Sequence, residues 1–154
     1  MRFLIQRVSR ASVRVEGGLV AGIESGILAL IGIARTDTAK DADYLADKLV
    51  NLRIFPDIEG RMNRSALETG AQLLLVSQFT LYGDCSKGRR PGFDAAASPE
   101  AARDLYDYIV RKVSEKGLIT RTGVFQAHME VELVNDGPVT FLLESPPPAT
   151  PESA

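Results

Sequence analysis

The sequence predicts a mixed α/β fold in a single domain: a mostly antiparallel or mixed, barrel-like β-sheet with two main helices. Three observations carry this. Strand-like stretches crowd both ends of the chain. Only two segments repeat apolar residues at helical spacing, Ala42-Leu45-Leu49-Leu52 and Ala102-Leu105-Ile109-Val113. Strands and helices do not alternate in the regular way that a doubly wound parallel sheet requires.

In chain order, residues 2–33 read as strands. Val13 and Val15 flank Arg14 in an alternating pattern, Glu16-Gly17-Gly18 supplies a turn, and Gly26 to Ile33 is a second apolar run. Thr38 and Asp41 are spaced as a capping box for the first helix. Arg53-Ile54-Phe55 reads as a short strand stopped by Pro56, and residues 56–70 read as irregular. The strand of 72–82 contains Leu73-Leu74-Leu75-Val76, a run continuous enough to be covered on both faces. A polar loop spans Gly83 to Asp94. The second helix has Ser98 as N-cap, Pro99 at its first position and Gly117 as C-cap. Residues 124–134 alternate strictly, with Phe125, Ala127, Met129, Val131 and Leu133 on one face and Gln126, His128, Glu130 and Glu132 on the other. Asn135-Asp136-Gly137-Pro138 reads as a turn, from which Val139 to Leu143 returns as a strand. The domain covers 1–144, and 145–154 reads as a proline-rich, disordered tail.

At 154 residues the chain is long enough to bury roughly 70% of its unfolded surface in one core. Its net charge of −2 sets up no field that draws the whole molecule to DNA or an anionic membrane, so any RNA contact rests on a local patch. The single cysteine, Cys85, excludes an internal disulfide and fits a reducing cytosol. No signal peptide and no run near the ~20 apolar residues of a membrane span are present.

Ser77-Gln78-Phe79-Thr80 leaves the apolar run beside a turn, which sets polar groups on a rigid element where a small substrate can be held accurately. Ser77, Thr80 and Cys85 are candidate nucleophiles, but His128 is the one imidazole and the Gly-x-Ser-x-Gly elbow is missing. His128 reads mainly as a solvated or structurally bonded residue. One His, one Cys and scattered carboxylates (Asp41, Asp43 and Asp47 on a helix face) give no zinc spacing, and no nucleotide-binding glycine motif occurs, so no metal or cofactor is expected. Lys87, Arg89 and Arg90 form a basic loop just after the candidate pocket, suited to phosphates. The Gly137-Pro138 bond, were it cis, would turn two carbonyls the same way and offer an acceptor pair for an ammonium group.

Two segments, Ser77-Gln78-Phe79-Thr80-Leu81-Tyr82-Gly83-Asp84 and Asn135-Asp136-Gly137-Pro138-Val139-Thr140, together closely resemble the D-aminoacyl-tRNA deacylase family. Ala127-His128-Met129, Leu133-Val134 and the opening Met1-Arg2-Phe3-Leu4-Ile5-Gln6-Arg7-Val8 agree, so the resemblance spans Met1 to about Glu144. It departs at Gly83, where the family more often has alanine, and at Gln126, where it more often has glycine.

The resemblance implies a cytosolic, homodimeric hydrolase that cleaves the ester between a D-amino acid and the 3′ end of tRNA, and also removes glycine from alanine tRNA. It implies a cis Gly137-Pro138 segment that reaches into the partner's pocket. There its carbonyls hold the substrate's α-amino group and leave no room for an L side chain. Ser77, Gln78, Phe79 and Thr80 line the catalytic pocket on this reading, and Ala102, Phe125 and Met129 shape the site for the substrate and terminal adenosine. Two mechanisms follow: Thr80 as nucleophile, or backbone N–H groups near Gln78 and Phe79 that fix the ester while the tRNA 2′-OH helps activate water. The second is favoured, because nothing in the sequence deprotonates Thr80. Two rival functions are a non-catalytic RNA-end binding module built on Lys87, Arg89 and Arg90, and a Ser/Thr esterase that depends on His128.

Overall fold

In the computed structural model, which describes residues 1–149, strand β1 (Arg2–Val15) is the spine of the sheet. Its first half buries Phe3 and Ile5 toward the helices, and its second half buries Val8, Ala11 and Val13 in a second cluster. The change of face coincides with register shifts between Gln6 and Val8 and between Val8 and Arg10. Strands β2 (Gly18–Ile23) and β3 (Gly26–Gly32) run antiparallel to it. Strand β6 (Gln72–Ser77) lies parallel to β3, and β7 (Thr120–Thr122) parallel to β6. The sheet order is β2-β1-β3-β6-β7, with β8 (Glu130–Glu144) paired to the other side of β1, which gives a mixed, barrel-like sheet.

Helices α1 (Ala39–Asn51) and α3 (Pro99–Ser114) cover one face. Leu45 and Leu49 of α1 and Ile109 and Val113 of α3 are fully buried against Phe3, Ile27, Leu73 and Leu75. Each fully buried side chain of this kind contributes about 1.5–3 kcal/mol. Leu74 and Val76 point the other way into the second cluster, so the 73–76 run is covered on both faces as its composition implies. The Thr38–Asp41 capping box forms, and Ser98 caps α3 by accepting from the Ala101 N–H at 3.3 Å.

Several expectations need correction. The short strand near residue 55 is Phe55–Pro56 (β4), paired with Met62–Arg64 (β5), and this two-stranded edge tolerates the proline. Residues 56–70 also hold a one-turn helix, α2 (Ala66–Thr69), capped by Ser65 and closed by Gly70 at φ +67°. Tyr106, not Leu105, completes the buried stripe of α3, and the C-cap of that helix is Glu115, with Gly117 beyond it at φ +86°.

The strand expected over 72–82 stops at Ser77. The Gln78 N–H makes a last bond to the Ile31 carbonyl at 2.7 Å, and Phe79–Tyr82 then coil into a 3-10 turn over Gly32. A Cβ on Gly32 would lie 2.8 Å from Leu81 Cβ and 3.2 Å from the Gln78 carbonyl, so glycine there is what lets the turn settle.

The strand expected over 124–134 begins only at Glu130, after a turn through Phe125 and Gln126. Likewise Asn135–Pro138 is no hairpin. It is a bulge within β8, because Asn135 pairs with Val8 and Thr140 already pairs with Gln6. Of the tail, residues 145–149 form no regular element, and 150–154 lie outside the described residues.

Candidate active site

The end of β6, the first turn of α3 and the 125–131 segment enclose a cleft of about 590 Å³. Ser77, Gln78 and Phe79 line one side, Pro99 and Ala102 a second, and Phe125, Gln126, His128 and Met129 a third. Its size and largely apolar walls, with a few convergent polar groups, suit a small organic ligand.

The 3-10 turn presents Phe79 outward at 55% exposure, where it meets Phe93 edge-to-face at 5.0 Å. The Phe79 and Thr80 N–H groups start this turn and make no protein hydrogen bond among the described residues, whereas the Gln78 N–H is committed to Ile31. Of the backbone N–H groups expected near Gln78 and Phe79, that of Gln78 is thus taken up by the sheet, while those of Phe79 and the next residue, Thr80, remain free of protein partners. Thr80 itself is exposed and does not line the cleft, and its hydroxyl accepts a hydrogen bond from Gln78 Nε2.

The wall opposite is anchored from within. Tyr106 donates to the Leu75 carbonyl at 2.9 Å, and burial pushes its phenol well above the usual range, so it remains a donor. Its ring packs on Phe125 at 5.8 Å, and the Arg103 guanidinium lies 5.4 Å from the Phe125 centroid. On the far side of the 3-10 turn, Arg2 donates to the Leu81 carbonyl at 2.8 Å and stacks over Tyr82 at 4.6 Å. Burial, then the Asp37 carboxylate, pushes Tyr82 up to about 12.

His128 is exposed at the margin of the cleft, in keeping with a solvated residue, and it makes no hydrogen bond to Ser77, Thr80 or any other described group. Phe125 and Met129 are half-buried as the alternation of 124–134 implies, but they precede the strand, and Gln126 and His128, expected on the opposite face, line the same cleft. Gln126, Phe93, Ala97 and Pro99 are lining residues that sequence reasoning did not select. The signal for Gln126 was its departure from glycine: the residue sits at φ +64°, a left-handed conformation that costs an ordinary side chain about 1–2 kcal/mol. Gln126→Gly is expected to raise unfolding free energy by about 0.5–1 kcal/mol in urea titration, since the strain removed exceeds glycine's extra chain entropy.

Gly137 and Pro138 do not line this cleft. Their bulge projects from β8 with a cis peptide between them. Asn135 closes its base, with Nδ2 donating to the Val139 carbonyl at 3.1 Å and Oδ1 accepting from the Val139 N–H at 2.7 Å. Arg7 braces its shoulder: Nε donates to the Asp136 carbonyl at 2.9 Å, and Nη1 to the Ile54 carbonyl at 2.6 Å. Lys87, Arg89 and Arg90 are exposed on a loop pinned by the paired Asp84 and Gly92, and they too stand outside the cleft lining. Among the described residues no three or more His, Cys, Asp or Glu side chains gather as a metal site, and no helix is long and apolar enough to cross a membrane.

The model of the family described as D-Tyr-tRNA(Tyr) deacylase matches residues 4–144. A D-aminoacyl-tRNA deacylase of Geotalea uraniireducens is 58% identical over 146 residues, 95% of this chain and 94% of its own. One of Solibacter usitatus is 57% identical over 94% of this chain and 96% of its own. Among solved structures, one named c-Myc DNA Unwinding Element Binding Protein superposes with TM-score 0.90 at 38% identity, covering 96% of this chain and 100% of that one. A probable eukaryotic D-amino acid tRNA deacylase shares the fold at TM-score 0.81 and 18% identity, over 93% of this chain and 98% of its own.

Proposed function

We propose, from the premise that this chain belongs to the D-Tyr-tRNA(Tyr) deacylase family, that it hydrolyses the ester joining a D-amino acid to the 3′ end of tRNA. The observation that carries the reading is the cleft at the end of β6. Phe79 in its wall and Thr80 next to it in the chain carry backbone N–H groups free of protein partners, aromatic rings stand beside them, and among the described residues no candidate nucleophile there is hydrogen-bonded to His128. Such a site suits a substrate that is already reactive and needs mainly to be positioned.

In this mechanism the Phe79 and Thr80 N–H groups stabilise the oxyanion that forms as water adds to the ester carbonyl. The terminal 2′-OH takes part in orienting that water. The carbonyl carbon gains a bond to the water oxygen, the bond to the 3′-oxygen breaks, and a water proton ends on that oxygen. The products are the free amino acid and tRNA with its 3′-hydroxyl restored. Phe125 stacks on the terminal base, and Ala102 and Met129 bound the space beside it.

Selection of handedness lies with the Gly137-Pro138 bulge of a second copy. Two features support a homodimer that places it there. Gly137 and Pro138 are exposed and stand outside the lining of their own cleft, and β8 exposes Phe141 (40%) and Leu142 (52%) on a strand that pairs, among the described residues, with β1 alone. With the bulge's carbonyls on the α-amino group, an L side chain collides with it, a D side chain points away, and glycine passes, so glycyl-tRNA(Ala) is also a substrate. Lys87, Arg89 and Arg90 hold tRNA phosphates, and the enzyme works in the cytoplasm, where charged tRNA is found.

The test is deacylation of tRNA charged with D-tyrosine or L-tyrosine. The D ester is cleaved and the L ester survives. Cleavage of both at one rate, or of neither, refutes the reading. A non-catalytic nucleic-acid-end binding module is favoured only by the name of one solved relative and by the basic loop, and it predicts salt-dependent tRNA binding without ester loss.

A further inference from the structure

Four aromatic rings carry a cation over their faces: Tyr82 under Arg2, Tyr44 under Lys48, Tyr108 under Arg111 and Lys112, and Phe125 under Arg103. Of these rings only Phe125 lines the cleft. Arg103 follows Ala102, a cleft residue, on α3, and its side chain is exposed. It forms no ion pair among the described residues, although Glu100, Asp104 and Asp107 share its helix. The ring beneath it packs in turn on Tyr106, which is bonded to the Leu75 carbonyl, so the guanidinium has an anchored aromatic surface beside it.

We infer that Arg103 binds the phosphodiester immediately 5′ of the terminal nucleoside of the substrate RNA. The inference rests on the tRNA-ester reading above. A nucleoside whose base stacks in the cleft must lead its 5′-oxygen, and the phosphate attached to it, out past the rim. The rim beside Phe125 presents a planar, always-charged fork that no protein carboxylate occupies. Arginine meets phosphate through two parallel N–H bonds and keeps its face on an aromatic ring while doing so, whereas lysine offers only a point charge. Arg103 and Phe125 thus act on adjoining parts of one nucleotide, the cation on its phosphate and the ring on its base. The basic loop of Lys87, Arg89 and Arg90 meets phosphates farther along the strand.

The experiment compares D-tyrosyl-tRNA with D-tyrosyl-adenosine, which carries the same ester and base but no phosphate, on wild-type protein, Arg103→Ala and Arg103→Lys. The expected result is that Arg103→Ala lowers kcat/KM for the tRNA about tenfold more than for the nucleoside, mainly through KM. The salt dependence of log KM for tRNA becomes shallower by about one. Arg103→Lys restores most of the salt slope and only part of the affinity. Equal losses on both substrates, or an unaltered salt slope in Arg103→Ala, overturn the assignment while leaving the deacylase reading intact. If the wild-type protein cleaves neither ester, the deacylase reading falls and the assignment of Arg103 falls with it.

Discussion

Removing the terminal 2′-hydroxyl from D-tyrosyl-tRNA is expected to lower its rate of deacylation by about 10²–10³-fold, the scale of one lost transition-state donor or proton carrier. Thr80→Ala is expected to change the rate less than about fivefold, far below the loss that follows removal of a true nucleophile. The reason is geometric. Thr80 stands outside the cleft lining, and its hydroxyl accepts from Gln78 rather than donating to a base. His128, the sole imidazole, reaches no hydroxyl. A threonine hydroxyl without a base is a poor nucleophile at neutral pH, which is why the proposed mechanism gives the assisting role to the substrate's own vicinal hydroxyl. Single-turnover measurements with 3′-charged, 2′-deoxy-terminated tRNA check the first half. An acyl-enzyme burst, or abolished turnover in a folded Thr80→Ala protein, would establish the nucleophile route instead. His128→Ala discriminates further: a small effect removes the esterase reading, and a loss of about 10³-fold or more would restore it.

Much of this arrangement is legible in the sequence, and the parts that are not share one cause. The Leu73–Val76 run, the Thr38–Asp41 box and Ser98-Pro99 are local signals, and each element forms where its residues place it. Errors arise where a distant strand overrides a local preference. Asn135-Asp136-Gly137-Pro138 has the chemistry of a hairpin turn, but β1 is 14 residues long and pairs with β8 on both sides of that segment, so the same residues become a bulge. Arg7, far away at the other end of the chain, supplies the brace that no local pattern announces. Similarly, Phe79–Leu81 alternate as a strand would, and what ends the strand is the missing side chain of Gly32 on its neighbour. Gln126 shows the reverse case. Its polar side chain fits the alternation of a strand, and only the backbone reveals a left-handed turn at Phe125-Gln126, both of which line the cleft.

The second large effect concerns the bulge. A Cβ on Gly137 would lie 2.5 Å from Val139 Cγ2 and 2.6 Å from the Val139 nitrogen, so Gly137→Ala must shift the tip of the bulge relative to the base held by Asn135 and Arg7. Gly137 and Pro138 are exposed, but Val139, which the new Cβ strikes, is buried in the helix-side core cluster, so a modest loss of global stability is expected beside the displacement, and activity is compared on protein shown to be folded. Misplacement of a positioning element by about 1 Å commonly costs about 10²-fold in rate, and D-tyrosyl-tRNA turnover is expected to fall by that amount. The residual activity should discriminate poorly between D and L esters. Mixed dimers then decide whether the tip acts on its own cleft or its partner's. A Gly137→Ala chain has an open cleft and a faulty tip, and a chain whose cleft is filled by Ala102→Phe has a sound tip and no cleft. Neither chain paired with itself is expected to exceed about a hundredth of wild-type activity. If the tip works across the two-fold axis, an equal mixture reassociated at random regains about a quarter of wild-type sites, because half the dimers are mixed and each holds one sound pair. If the tip works within its own chain, mixing restores nothing. A monomeric mass in solution would remove the cross-subunit filter altogether.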